Sequence, residues 1–255
     1  MKIKITFLGT GTSQGIPVIN CKHPVCFSED SRDKRLRSSI LIAWDNYSYV
    51  IDCGPDFRYQ MLRAKVNKID GILFTHEHAD HTSGLDDIRP FSFQIGAVPI
   101  YAQKRVIENL TKRFDYIFVD ANKYPGAPSV VINEIKNEAF FLSNLKVIPI
   151  SILHNKLPIF GFRFGKIAYL TDVKTIANTE IEKLKNLDVL IISALRIKPH
   201  KSHLNLEEAL QLIEIIKPKR AYLTHISYLL GFHKEVEKIL PTNVFLAYDK
   251  LKLEV

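Results

Sequence analysis

Three cysteines in 255 residues cannot build a disulfide framework, because an odd and sparse set leaves a thiol over. Reduced thiols or metal ligation are the remaining readings, and both suit a cytoplasmic protein. Long apolar runs are also lacking. Nothing approaches the roughly 18 to 20 residues that cross a bilayer, and the opening MKIKITFLGTGTSQG reads as strand and loop rather than a signal peptide. No membrane partner is therefore expected. No Ser or Cys sits in a nucleophile turn: GTSQG has the wrong spacing for G-x-S-x-G and runs into Ile16-Pro17, not into a helix. Covalent catalysis is thereby disfavoured. Residues 9–15 are not a dinucleotide fingerprint either, since the last glycine falls one place late; such a turn is left to offer backbone N–H groups to an anion. No low-complexity linker divides the chain, so one domain spanning 1–255 is expected.

What is present is a core-forming composition, 46% hydrophobic, arranged in short β-branched runs separated by turn residues. KIKITFLG, SSILIAW, YSYVIDCG and DGILFTH occur in the first half, and LKVIPISI, FGFRFG, KIAYLTD, DVLIISAL, RAYLTH, NVFLAY and LKLEV in the second. Apolar residues returning every three to four positions predict helices over 56–64, 103–113, 174–185, 206–216 and 233–240. Leu206, Ala209, Leu210, Ile213 and Ile216 form one such stripe. Strands followed by helices in both halves predict an α/β protein with two mixed β-sheets packed face to face and outer helices, a four-layer αβ/βα sandwich. Residues 119–140 are expected to form a loop with a small excursion between the halves. Lys and Arg outnumber Asp and Glu by 35 to 27, an excess suited to phosphate-bearing ligands.

LFTHEHADHTSG, residues 73–84, sets His76, His78, Asp80 and His81 directly after an apolar run. Neutral imidazole and carboxylate are the donors that a divalent ion of borderline softness takes. His76 and His78, two apart, face one side of an extended chain, whereas Asp80 and His81 follow a turn and face a neighbouring point. That arrangement suits two adjacent ions, for which one run supplies too few donors. His154, Asp172 and His225 stand in the same positional relation to LKVIPISIL, KIAYLT and RAYLT, each at the end of an apolar run.

On these residues the sequence resembles the metallo-β-lactamase fold superfamily. GTGTSQGIPV (9–18), CKHPVC (21–26), RLRSS (35–39), DCGPDFR (52–58), THEHADH (75–81), His154, LTD (170–172), SHLNLEEA (202–209) and LTHIS (223–227) are similar to its cyclic-phosphodiesterase members, typified by the phosphoribosyl cyclic phosphate phosphodiesterases. The resemblance implies a single metallo-hydrolase domain. It implies that His76, His78 and His154 hold one ion and Asp80, His81 and His225 another, with Asp172 bridging. Zn2+ and Mn2+ accept such donors, as does Fe. Asp52 would fix the tautomer of a ligating histidine, or else simply make the turn before Gly54-Pro55. His203 would donate to the phosphate or leaving oxygen, making His203, Asp80 and Asp172 the catalytic set; read from the residues alone, it stands exposed ahead of a helix capped by Asn205. Arg32, Lys34, Arg35, Arg37, Arg196, Lys198 and Lys201 flank these segments as candidate phosphate grips. Cys21, His23 and Cys26 resemble the family's structural-zinc knuckle, whose fourth ligand position here is Tyr228. His233 is the nearest substitute, and reduced thiols are the other reading. Cys53 reads as an inert core thiol.

Two ions roughly 3.5 to 4 Å apart can activate a shared water and clamp the oxygens of an in-line displacement at phosphorus. The expected function is therefore dinuclear metal-dependent hydrolysis of a small cyclic phosphate or related phosphodiester. The alternative is a tRNA 3′-processing endonuclease, with RNA as partner. Those members carry a long Gly/Pro-rich arm and usually Gly before the second-site Asp, where this chain has NKYPGAP and Ala79. A non-enzymatic metal-binding module of the same fold is a third reading, and lactone or β-lactam hydrolysis a fourth. The oligomeric state is left open, a homodimer included.

Overall fold

A computed structural model describes residues 2–119 and 123–255, and the chain divides into two compact units. The first comprises the segment ending at Leu8, Ser39–Lys136 and Lys252–Glu254. Its sheet is built on β1 (Lys4–Gly9), β2 (Ser39–Trp44), β3 (Tyr47–Ile51), β4 (Gly71–Leu73), β5 (Val98–Ala102) and β6 (Val130–Glu134). These lie side by side in chain order, and Lys252–Glu254 pairs antiparallel with β1 at the edge. β2 and β3 form an antiparallel hairpin, whereas β3 to β6 run parallel, in register Ile51↔Leu73 and Ile72↔Ile100. Parallel strands bring their carboxyl ends to one edge, where open α/β sheets carry their sites. Val50, Ile72, Phe74 and Ile100 pack with Phe57, Met61, Phe91, Val106 and Leu110 from the helices Phe57–Ala64, Arg89–Ile95 and Lys104–Arg113.

The second unit comprises Gly9–Ser38 and Asn137–Leu251, with Val255. Its strands are β7 (Phe140–Leu142), β8 (Leu145–His154), β9 (Leu157–Phe164), β10 (Ile167–Leu170), β11 (Thr175–Ile176), β12 (Val189–Ser193), β13 (Arg220–Thr224) and β14 (Val244–Leu246). The order is β11-β8-β9-β10-β12-β13-β14, with β7 also on β8. β8, β9 and β10 form an antiparallel meander; β10, β12, β13 and β14 are parallel, in register Leu170↔Ile192 and Ile192↔Leu223. Both sheets are thus mixed, as expected, an antiparallel hairpin passing into a parallel run. The helix Leu206–Ile216 buries four of the five predicted stripe residues, Leu206, Ala209, Ile213 and Ile216, in one core with Ile192 and Leu223, while Leu210 is only partly buried against it; each full burial of a large aliphatic side chain contributes roughly 1.5–3 kcal/mol. Asn205 caps it: its side chain accepts the Glu208 N–H, and Glu208 Oε2 accepts the Asn205 N–H, both at 2.9 Å.

Two expectations are corrected. Residues 174–185 do not form one helix, because β-branched Thr175 and Ile176 pair with β8 as a strand, leaving one α-turn (Asn178–Ile181) and one 3-10 turn (Glu182–Leu184). The 119–140 stretch contains β6, parallel to β5 and stabilised by ladder bonds that local patterning does not register; within it, Asp120, Ala121 and Asn122 lie outside the described residues. Among the described residues, no helix is long and apolar enough to cross a membrane.

Candidate metal centre

In the first unit, β3 and β4 are parallel neighbours, so Asp52 and the Thr75-His76 pair leave adjacent strand ends. Asp52 holds a left-handed φ of 65°, uncommon for a residue with a side chain, while its N–H donates to Leu73 O at 2.9 Å. Its carboxylate is fully buried. Oδ1 accepts the Thr75 N–H at 2.9 Å, and Oδ2 accepts the Thr75 hydroxyl at 2.9 Å and lies 2.7 Å from His81 Nδ1. The hydroxyl gives its one proton to the carboxylate, so it accepts from His76 Nδ1, 2.9 Å away. The network thereby assigns Nδ1–H tautomers to His76 and His81 and leaves each Nε2 lone pair as a ligand donor. His81 Nε2 lies 3.2 Å from Asp80 Oδ2, and the His76 ring is 4.6 Å from that of His78 and 4.3 Å from that of His81. Burial raises the Asp52 pKa, with His81 and Thr75 pulling the other way.

Asp80 and His81 sit on a single helical turn, Ala79–Thr82, which is tied down from behind. The Cys53 N–H donates to His81 O at 2.7 Å and the Gly84 N–H to Cys53 O at 2.8 Å. The closure needs glycine, because a Cβ at Gly84 would stand 2.1 Å from Gly54 O. Cys53 is a fully buried thiol whose pKa burial raises well above the ordinary value, as expected of a core cysteine.

In the second unit, Asp172 and His225 follow the parallel strands β10 and β13, again in the left-handed region, with φ of 55° and 54°. His154 ends β8. Its Nδ1 donates to Ser202 O at 2.8 Å, with Asp172 O at 3.1 Å, which puts the ring proton on Nδ1 and the lone pair on Nε2. Asp172 Oδ2 accepts the Thr171 hydroxyl at 2.7 Å, while Oδ1 lies 3.2 Å from His225 Nε2 and 3.6 Å from His203 Nδ1. His154, Asp172 and His203 offer donor atoms within 4.8 Å of one another. The His203 side chain is 12% exposed, not solvated ahead of the helix, and its Nδ1 makes no hydrogen bond. Burial, then the neighbouring His225, pushes its pKa down to about 3 against the pull of Asp172.

Both donor sets fit divalent ions. Carboxylate-to-imidazole separations of 3.2 Å, found once in each unit, match the edge of roughly 3.3–3.4 Å in a tetrahedron of about 2.0–2.1 Å metal–ligand bonds. The residues proposed from the sequence are brought together within each unit: Asp52, His76, His78, Asp80 and His81 in one, His154, Asp172, His203 and His225 in the other. The sequence reading missed Thr75 and Thr171, whose hydroxyls hold His76, Asp52 and Asp172. A signal existed, since FTH, LTD and LTH repeat a threonine before the donor at three strand ends. The Ser202 carbonyl had none.

The cysteine knuckle is different. Burial, then the neighbouring Cys21, raises the Cys26 pKa. His23 Nδ1 accepts the Val25 N–H at 3.4 Å, capping the turn Pro24–Phe27, and its ring lies 5.1 Å from that of Tyr228. The proposed fourth ligand, His233, is held elsewhere. Its N–H donates to Asp33 Oδ1 at 2.7 Å and its Nδ1 lies 3.1 Å from Arg35 Nη2, which can only donate. Among the described residues, no donor cluster close enough to hold an ion includes Cys21, His23, Cys26 or His233. These four side chains do not fit a structural zinc.

The candidate phosphate grips are mostly committed to the chain. Arg32 pairs with Asp30 at 2.6 Å, Lys34 donates to Cys26 O, Arg37 to Ser13 O, and Arg196 to the carbonyls of Lys198 and Pro199. Arg35 is buried, donating to Thr10 Oγ1 at 2.8 Å and to Ala247 O. In the 9–16 segment the N–H groups of Gly11, Thr12, Gly15 and Ile16 already donate to main-chain carbonyls, so this turn is not built as an anion cradle.

A family model described as Beta-lactamase superfamily domain matches residues 47–226. A solved structure described as a new diphosphatase from the PhnP family shares 42% identity, with a TM-score of 0.94 over 100% of this chain and 98% of that one. The octanoyltransferase of Porphyromonas gingivalis is 41% identical over 98% of this chain and 51% of its own length. Ribonuclease Z of Methanococcus maripaludis is 26% identical over 74% of this chain and 55% of its own. The chain spans about half the length of these curated relatives.

Proposed function

From its place in the Beta-lactamase superfamily, to which this chain of α/β metallo-β-lactamase fold belongs, we propose that it is a metal-dependent hydrolase of small phosphodiesters, with a cyclic phosphate as the substrate class. The observation that carries this reading is the fixing of His76, His81 and His154 through Nδ1, which leaves Nε2 of each as a ligand donor. In this proposal His76, His78 and His154 hold one ion, Asp80, His81 and His225 the other, and Asp172 is shared. The ions are Zn2+ or Mn2+, with Fe as a further candidate. When bound, they supply Lewis acidity toward phosphoryl oxygens and acidify water.

The chain's own residues do the positioning. Asp52 orients His81, and through Thr75 it orients His76. Thr171 holds one oxygen of Asp172 and so directs the other toward His225 and His203. Asp52, Asp172 and His225 hold left-handed backbone conformations just past the ends of strands, the kind of strained geometry that serves to preset a site. His203, with Nδ1 not committed to any hydrogen bond, is the group placed to donate a hydrogen bond to the phosphate or leaving oxygen.

A second reading, favoured by the 42% identical diphosphatase, replaces the phosphodiester by a diphosphate linkage. Octanoyl transfer is not read from this site: the Porphyromonas protein of that name is about twice as long, and the donor clusters hold neither thiol nor amine. The test is turnover of bis(p-nitrophenyl) phosphate, a 2′,3′-cyclic nucleotide, a dinucleoside diphosphate and a precursor tRNA by protein loaded with Zn2+ or Mn2+. Hydrolysis of a small diester that His76→Ala and Asp172→Ala both abolish supports the proposal. Cleavage confined to the diphosphate moves the assignment to the second reading, and cleavage of the RNA alone moves it to 3′ processing. A loaded protein that turns over nothing refutes it.

A further inference from the structure

The helix Lys104–Arg113 carries Arg105, Asn109 and Arg113 at i, i+4 and i+8, one row along its surface beside the buried Val106 and Leu110. In sequence such a row reads as a solvated charged face. In the structure it grips the histidine loop. Arg105 sets Nε 2.9 Å from Glu77 Oε1 and donates from Nη2 to Oε2 at 3.0 Å, a two-point contact with the residue between His76 and His78. Arg113 Nη1 donates to Glu77 O at 3.1 Å and to Thr82 Oγ1 at 2.8 Å, and Nη2 donates to Ser83 Oγ at 3.0 Å. The Thr82 hydroxyl in turn donates to His78 O at 2.8 Å.

These bonds enclose His78, Asp80 and His81 from both flanks. None uses a nitrogen or oxygen that the proposed ions need, so the network stands before any ion arrives. Crowding imidazoles and a carboxylate onto one turn costs conformational entropy, and a loop already fixed by two guanidinium forks has that cost removed from the binding step.

Resting on the metal reading above, we infer that Arg113 and Arg105 are positioning residues of the metal loop, the helix acting as a brace that presets its ligand geometry. Arg is required rather than Lys, because a single ammonium cannot reach the Glu77 carbonyl, Thr82 and Ser83 together.

The test is the affinity for Zn2+, by competition with a chromophoric chelator, of the full chain and of Arg113→Ala, Arg113→Lys, Arg105→Ala and His76→Ala, with the melting temperature of each metal-free protein alongside. Arg113→Ala is expected to bind about 10- to 100-fold more weakly, the usual loss when a group supporting a ligand is removed, with its metal-free melting temperature nearly unchanged. Arg113→Lys is expected not to restore binding. Should Arg113→Ala fold poorly, Ser83→Ala and Glu77→Gln each remove one part of the brace and are expected to weaken binding severalfold. Affinity equal to that of the unaltered chain in these variants overturns the brace, as does full rescue by Lys. An unaltered chain that binds no Zn2+, or binds it as His76→Ala does, brings down the metal reading and the brace together.

Discussion

Asp52 and His81 are 29 residues apart in the chain and 2.7 Å apart in space, carboxylate Oδ2 against ring Nδ1. The contact turns the imidazole and selects its tautomer, so Nε2 is left to face Asp80. Asp52→Asn keeps the size but offers a weaker acceptor, and its amide can turn an N–H toward the ring. Metal affinity is expected to fall about 10- to 100-fold, read by chelator competition. Unchanged affinity would make Asp52 a turn-former only.

His203 is expected to act in catalysis without adding to metal retention. His203→Ala should lower kcat by about 10²- to 10⁴-fold, the range of general-acid contributions, while metal content by elemental analysis stays the same. Loss of bound metal in this variant would instead make His203 a ligand.

With His233 occupied by Arg35 and Asp33, the knuckle has no fourth donor among the described residues. Elemental analysis of the loaded protein is expected to find two ions per chain, and Cys21→Ser and Cys26→Ser to leave that number unchanged. A third ion that disappears in both variants would contradict this.

His233 also predicts a pH dependence of stability. Burial, then Arg35, holds its pKa down at about 4, against about 6.5 for an ordinary histidine. Between these values the unfolded chain takes up a proton that the folded ring refuses, so unfolding becomes easier as pH falls. The contribution is complete above about pH 6.5 and is lost progressively toward pH 4, on the order of 1–3 kcal/mol in all. Melting temperatures from pH 4 to 8 should therefore fall less steeply toward acid for His233→Asn than for the unaltered chain. Parallel curves would show that His233 does not titrate in this way.

What was legible in the sequence depended on short range. The Asn205 cap, the stripe from Leu206 to Ile216 and the strands that lead into His76, Asp172 and His225 are local patterns, and the structure keeps them. β6 was hidden, because its burial pattern is irregular and its stability comes from pairing with β5. Thr175 and Ile176 were absorbed into a helical pattern for the same reason, as pairing with β8 is invisible to periodicity.

By itself, the amino-acid order determined which donor types stand at which strand ends, since composition and period 2 or 3.6 patterning suffice for that. Only the tertiary structure decided which ring nitrogen of His76, His81 and His154 carries the proton, that His233 turns to Arg35, and that Arg105 and Arg113 hold the loop. The physical reason is distance along the chain. Each of these choices except that at His76 is made by a hydrogen bond between residues more than twenty positions apart, and the His76 choice depends on Asp52 fixing the Thr75 proton, also more than twenty positions away.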